Sequence, residues 1–174
     1  MKKIAVIIAN GSEEIEALIP VDVLRRAGVD CKLVSVSGEF PEGSHKITVK
    51  ADLTFEQVDF STFDGIVIPG GMPGATNIAS CEKVVSATKE MLKNGKLVAS
   101  ICASPAVVLA QKGLVDGKKL TCYPAPQFLD VLKNCEYTAE NVTVDGNLIT
   151  ANGPKSAMEF SLKICEFLGV KAGF

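Results

Sequence analysis

The sequence predicts an α/β fold built on a mainly parallel sheet with helices on both faces, and three observations carry that prediction. Short, near-continuous apolar runs recur along the chain, as in Ile4–Ala9 and Gly65–Ile68. They alternate with longer segments of helical length, and strands that are apolar throughout belong to sheets covered on both sides. The loops that follow several of these runs are rich in Gly, Pro and Ser. Open sheets of this kind place their sites beyond the carboxyl ends of the strands.

The elements follow in order. Ile4–Ala9 reads as a strand and Glu13–Ala27 as a helix, which Pro20 should kink. Lys32–Val36 is a strand, and Ile47–Val49 is expected to pair briefly at an edge. Gly65–Ile68 is a strand, Glu82–Lys93 a helix, Leu97–Ile101 a strand and Pro105–Gln111 a helix. Lys119–Cys122 reads as a strand and Gln127–Leu132 as a short helix. Val142–Val144 and Leu148–Thr150 flank Asp145-Gly146, a hairpin signal. Ser156–Leu168 closes the chain as a helix, with Met158, Phe160, Leu162, Ile164, Cys165 and Leu168 at helical spacing.

At 174 residues the chain fits one domain, 1–174, with 47% apolar and 22% charged residues. Its net charge is −2 with the signs interspersed, which predicts no nucleic-acid partner and no anionic membrane. The apolar run near the start leads straight into Glu13 and Glu14 without a cleavage signal. No stretch approaches the roughly 20 apolar residues of a membrane span, so a cytoplasmic location is expected.

Six cysteines stand at 31, 81, 102, 122, 135 and 165, none in a C-x-x-C pair, and the single histidine, His45, is remote from them. No metal is expected on that pattern. Most of these thiols read as buried small hydrophobes. Cys102 differs. In LVASICASP, residues 97–105, it lies where an apolar run stops. Ser104 there suits an N-cap and Pro105 the first helical position. Free N–H groups and a helix N-terminus favour a thiolate, and the small neighbours suit a nucleophile elbow.

Two other loops should meet that turn. In the first, Glu13 and Glu14 read as first-turn acids facing water. Glu16 borders the apolar face and is either another surface acid or a carboxyl beside Cys102, with a raised pKa and a proton to move. In the second, Gly70-Gly71 follow DGIVIP and form either a plain strand-end turn or, with Ala103, an oxyanion hole of Gly71 and Ala103 N–H groups. The phosphate-loop patterns G-x-x-x-x-G-K-[ST] and G-x-G-x-x-G are both missing.

EEIEALIPVDVLRRAG, DGIVIPGGMPGA, ASICASP, TCYP and NGP fall in that order along the chain. Together they resemble the ThiJ/PfpI superfamily, in the branch typified by Parkinson disease protein seven and its bacterial relatives. The resemblance implies a flavodoxin-like sandwich, a homodimer and an oxidation-prone nucleophilic Cys102. It also implies Glu16 as the hydrogen-bonding partner of that cysteine, and Gly71 and Ala103 as its oxyanion amides. The pocket would include Gly70, Arg26, Tyr123 and Asn152. The chain departs from the family where Tyr123 replaces a common histidine and Ala103 the histidine of peptidase-like members. His45 and Asn152 stand where relatives carry arginines. His45 reads as a solvated loop residue or as one reaching Cys102 across a dimer interface. Tyr123 reads as a pocket wall, since a phenol ionises far above neutral pH.

Three functions are compatible with these residues. The first is a cofactor-free enzyme acting on α-oxoaldehydes such as methylglyoxal, or on their early adducts with proteins. The second is a redox-responsive stress protein or chaperone that senses oxidants through Cys102. The third is a cysteine peptidase, which the absence of any histidine base disfavours.

Overall fold

A computed structural model describes residues 1–174. Seven strands form the main sheet: β1 (Lys3–Ile8), β2 (Asp30–Ser35), β3 (Leu53–Thr54), β4 (Gly65–Ile68), β5 (Leu97–Ile101), β8 (Val142–Asp145) and β9 (Leu148–Ala151). Their order is β3-β2-β1-β4-β5-β9-β8, parallel except for the β8–β9 hairpin. Two short strands, β6 (Lys119–Leu120) and β7 (Glu136–Tyr137), pair separately.

The alternation of side chains along each strand explains why the runs are apolar throughout. In β1, Ile4, Val6 and Ile8 pack with α1 (Glu14–Arg26) and the final helix α5 (Ala157–Leu168), around Leu24 and Phe160. Ala5 and Ile7 face the opposite layer. That layer holds α2 (Gly74–Ala79), α3 (Glu82–Lys93) and the π-helical segment Pro105–Ala110. The remaining helix, α4, is a single turn at Pro126–Leu129. This is the three-layer, flavodoxin-like α/β architecture.

The sequence-based expectations differ from the structure in places. Ile47–Val49 forms no strand; the segment makes one isolated bridge, Glu42 to Thr48, and the edge position belongs to β3. The β6 strand stops at Leu120 rather than Cys122. The hairpin turns through Gly146-Asn147, with Asp145 paired to Leu148. The α2 helix was not anticipated, because its six residues carry too few apolar side chains to mark a period. Pro20 does not interrupt α1, which runs unbroken to Arg26 with Pro20 buried in it.

Candidate active site

The sheet order reverses between β1 and β4, and the loops after β1, β4 and β5 converge at that switch point. Cys102 directly follows β5, with φ at +65°, a region an L-residue enters only under constraint. Its N–H donates to the Ala151 carbonyl at 2.9 Å, and its carbonyl accepts from the Tyr123 N–H at 2.8 Å. The turn is therefore held from both sides, and the side chain stands half-buried between loops. Ser104 does not cap the following helix, because it is already helical; its hydroxyl donates instead to the Pro69 carbonyl and ties the cysteine turn to the glycine loop.

Glu16 is fully buried. Its Oε2 accepts the Gly70 N–H at 2.7 Å. Its Oε1 is buried without a hydrogen-bond partner, and the Cys102 thiol is close enough to act on the carboxyl's charge. Gly70 is required here by space. A Cβ at this position would lie 2.6 Å from the Cys102 Cβ and 2.8 Å from Glu16 Oε2. Gly71, at φ +83°, allows the loop to pass so close to Gly11 and Glu13 that a Cβ would meet the Glu13 N–H at 2.5 Å. The Gly71 and Ala103 N–H groups lie close enough to the Cys102 sulfur to favour its charged form.

Burial lifts the Glu16 carboxyl to about 7, opposed by the Gly70 N–H and the Cys102 thiol, while the Glu13 charge adds to the lift. Burial also pushes the Cys102 thiol up to about 12, with the Glu16 charge and the hydrogen bond to it acting in the same direction. The Gly71 and Ala103 N–H groups pull the thiol back down. The expected thiolate is thus outweighed. With Glu16 charged the thiol keeps its proton, because a second negative charge would have to share one desolvated pocket. The following helix contributes little, being only six residues long.

Glu13 and Glu14 do not face water as expected; both are buried. Glu13 caps α1 by accepting the Glu16 N–H at 3.0 Å. Glu14 is gripped by the 43–47 loop, accepting the N–H groups of His45 at 2.7 Å and Ile47 at 3.4 Å. His45 places its ring on these acids rather than on Cys102, with Nδ1 3.1 Å from Glu14 Oε2 and 3.6 Å from Glu13 Oε1. Sequence could not reveal this contact, since it joins positions 31 apart through a loop without periodicity.

Tyr123 and Asn152 flank the cysteine turn. A cavity of about 450 Å³ opens beyond them, lined by Tyr123, Asn141, Asn152, Gly153 and Ser156 among others but not by Cys102 or Glu16. Asn152 is held by Asn141 at 3.2 Å and by the Ser156 hydroxyl at 2.6 Å. Arg26 does not join the pocket. It lies at the far end of α1 from Glu16, pairs with Asp22 at 2.9 Å and stacks near Phe174. Ten helical residues separate the two positions, about 15 Å along the axis.

A doubly wound α/β protein with a cysteine at positive φ directly after a central strand, beside a buried carboxyl, defines a class that sets its side chains at the topological switch point. The family can be stated directly. Residues 2–167 match the DJ-1/PfpI family, and the chain belongs to it. Protein dj-1beta of Drosophila melanogaster is 40% identical, over 98% of this chain and 91% of that protein. Its crystal structure superposes with a TM-score of 0.90, covering all of this chain and 92% of that one. A structure described as oxidized DJ-1 of Toxoplasma gondii superposes with a TM-score of 0.89 at 41% identity, over 97% of this chain and 91% of that one.

A Caenorhabditis elegans protein named a glutathione-independent glyoxalase is 35% identical, over 90% of this chain and 83% of that protein. A Pyrococcus horikoshii protein named a deglycase is 33% identical, over 87% of this chain and 90% of that protein. The chain spans only about two fifths of the length of two similar Arabidopsis thaliana proteins, DJ-1 homologs A and B.

Proposed function

We propose that this chain is a cofactor-free, cysteine-dependent enzyme acting on reactive α-oxoaldehydes, converting methylglyoxal to lactate or releasing the early adducts such aldehydes form on proteins. The observation that carries this reading is the buried Glu16 carboxyl, titrating near neutrality, with an unpartnered oxygen beside a cysteine on a strained turn. The names of the glyoxalase and deglycase relatives support the choice of substrate.

The geometry suits the following chemistry. The Cys102 sulfur adds to the aldehyde carbon as Glu16 takes the thiol proton, so a charged thiolate need not form in advance. The oxyanion is received by the Gly71 and Ala103 N–H groups and is then protonated to a hemithioacetal. Glu16 next removes the hydrogen from the former aldehyde carbon and returns a proton to the neighbouring carbonyl carbon. The hemithioacetal becomes an α-hydroxythioester with no net redox change. Water then cleaves the thioester, releasing the 2-hydroxy acid and restoring the thiol. Gly70 leaves room between nucleophile and base, and Tyr123 and Asn152 form the wall that receives the rest of the substrate.

In this reading Cys102→Ala abolishes conversion of methylglyoxal to lactate while leaving the far-UV spectrum unchanged. Lactate formation at the wild-type rate by that variant would sink it. The enzyme would work as a homodimer in a reducing compartment, with six free thiols and exposed Ile15, Ile47 and Met72 available for an interface. Light scattering at twice the chain mass is expected.

A second reading is favoured by the same cradle, since two N–H groups and a carboxyl able to donate a proton also suit an oxidised sulfur. There Cys102 senses oxidants, and intact-mass analysis after mild peroxide would locate added oxygen on Cys102 before the other five thiols.

A further inference from the structure

Glu16 is fully buried, and the group that holds its Oε2 is a bare backbone N–H, that of Gly70. A carboxylate so desolvated depends on the aim of each donor that reaches it. Gly70 has no side chain to fix that aim. None can be added, since a Cβ would lie 2.6 Å from the Cys102 Cβ. A group outside the glycine must set the orientation.

The Gly70 N–H forms one rigid unit with the Pro69 carbonyl, because the peptide bond between them is planar and trans. Carbonyl and N–H point in opposite directions, and whatever fixes one fixes the other. The Ser104 hydroxyl donates to the Pro69 carbonyl across 35 positions of sequence. Ser104 is fully buried and does not cap the helix it enters. The next peptide is held separately, since the Gly70 carbonyl accepts the Glu13 N–H at 3.0 Å. The Gly71 amide therefore has its own anchor. A linked row of hydroxyl, carbonyl, N–H and carboxylate also polarises along its length, each bond strengthening the next.

We propose that Ser104 is a positioning residue for Glu16: its hydroxyl fixes the Pro69–Gly70 peptide plane and so aims the Gly70 N–H at the carboxylate. It acts through that peptide and not on substrate. Its part in catalysis rests on Glu16 being the base of the activity proposed above; the tether itself does not.

The test is the pH dependence of thermal unfolding of the full chain, comparing wild type with Ser104→Ala. Alanine suits the helical backbone at this position, so the far-UV spectrum should not change. Removing the hydroxyl frees the peptide plane and weakens the N–H support of charged Glu16, which should then hold its proton roughly three- to tenfold more tightly. The melting temperature, which falls as Glu16 ionises, should fall over a window displaced to higher pH. In a Glu16→Gln background, Ser104→Ala should lower the melting temperature equally at every pH. For lactate formation, the kcat/KM inflection should move to higher pH in step, with KM for methylglyoxal little changed. A window unmoved by Ser104→Ala, or the same displacement in the Glu16→Gln background, would overturn the proposal. Absence of lactate formation by the wild type would instead strike the proposed activity, and the thermal comparison would still decide the role of Ser104.

Discussion

At the scale of single residues, the proposed chemistry turns on one proton passed between Glu16 and Cys102. Burial raises both groups, but the carboxyl, near 7, ionises well before the thiol, near 12. If carboxylate Glu16 is the base, kcat/KM rises with pH through about 7 and then levels. Glu16→Gln should remove that inflection and lower the rate by roughly a hundredfold or more. Stability runs the other way. The folded-state pKa of Glu16 lies above its unfolded value of 4.5, so between those limits the native state holds a proton that the unfolded chain has lost. The contribution is complete below about pH 4.5 and is lost as pH rises through about 7. The melting temperature should therefore fall over that window in the wild type and stay nearly level in Glu16→Gln. An equal slope in both proteins would contradict the assignment.

At the scale of elements, the start of α1 and the loops after β1, β4 and β5 position the site, and backbone contacts lock them together. The Glu13 N–H donates to the Gly70 carbonyl at 3.0 Å and the Gly11 N–H to Glu42 at 2.9 Å. The opposite end of the sheet is clasped by Asn147, in the β8–β9 turn. Its Nδ2 reaches the carbonyls of Lys96 at 2.7 Å, Leu92 at 3.1 Å and Met91 at 3.4 Å, adding to the backbone N–H groups that close the end of α3. Asn147→Ala removes a donor shared by these carbonyls, two of which keep the Lys96 and Gly95 N–H groups, and should cost about 1 kcal/mol. Chemical denaturation measures the loss, and activity per folded molecule should not change, because the turn lies far from Cys102. The hairpin was legible from its Asp-Gly pair. The role of Asn147 was not, since its partners sit more than 50 positions away.

For the whole molecule, the sheet divides the apolar interior into two clusters, of 26 and 20 buried residues, joined through strands that contribute to both. Neither layer can be exposed without opening the sheet, so unfolding should be a single transition. Phe160, fully buried where α5 meets α1 and the sheet, tests this. Phe160→Ala should lower stability by about 3–5 kcal/mol, shifting the denaturation midpoint with little change in slope. A second transition confined to the α1–α5 layer would argue for separable halves.

Periodicity and punctuation were sufficient for the α/β class, for nearly every sheet strand and long helix, and for Cys102 as the unusual thiol. These are local matters, in which apolar alternation, glycine and proline act within a few residues. The same local signals misplaced Glu13 and Glu14 in water and assigned Ile47–Val49 to a strand. They also made Cys102 a thiolate and Ser104 a cap. Burial and electrostatics decided the carboxyls and the thiol, and backbone pairing decided the strand and the cap; all depend on what the rest of the chain brings near. Arg26, set at the pocket by the family resemblance, lies instead at the far end of α1, paired with Asp22. Only the tertiary structure could set Glu16 against Cys102 and seat His45 on two buried carboxylates, since a desolvated charge is defined by neighbours distant in sequence.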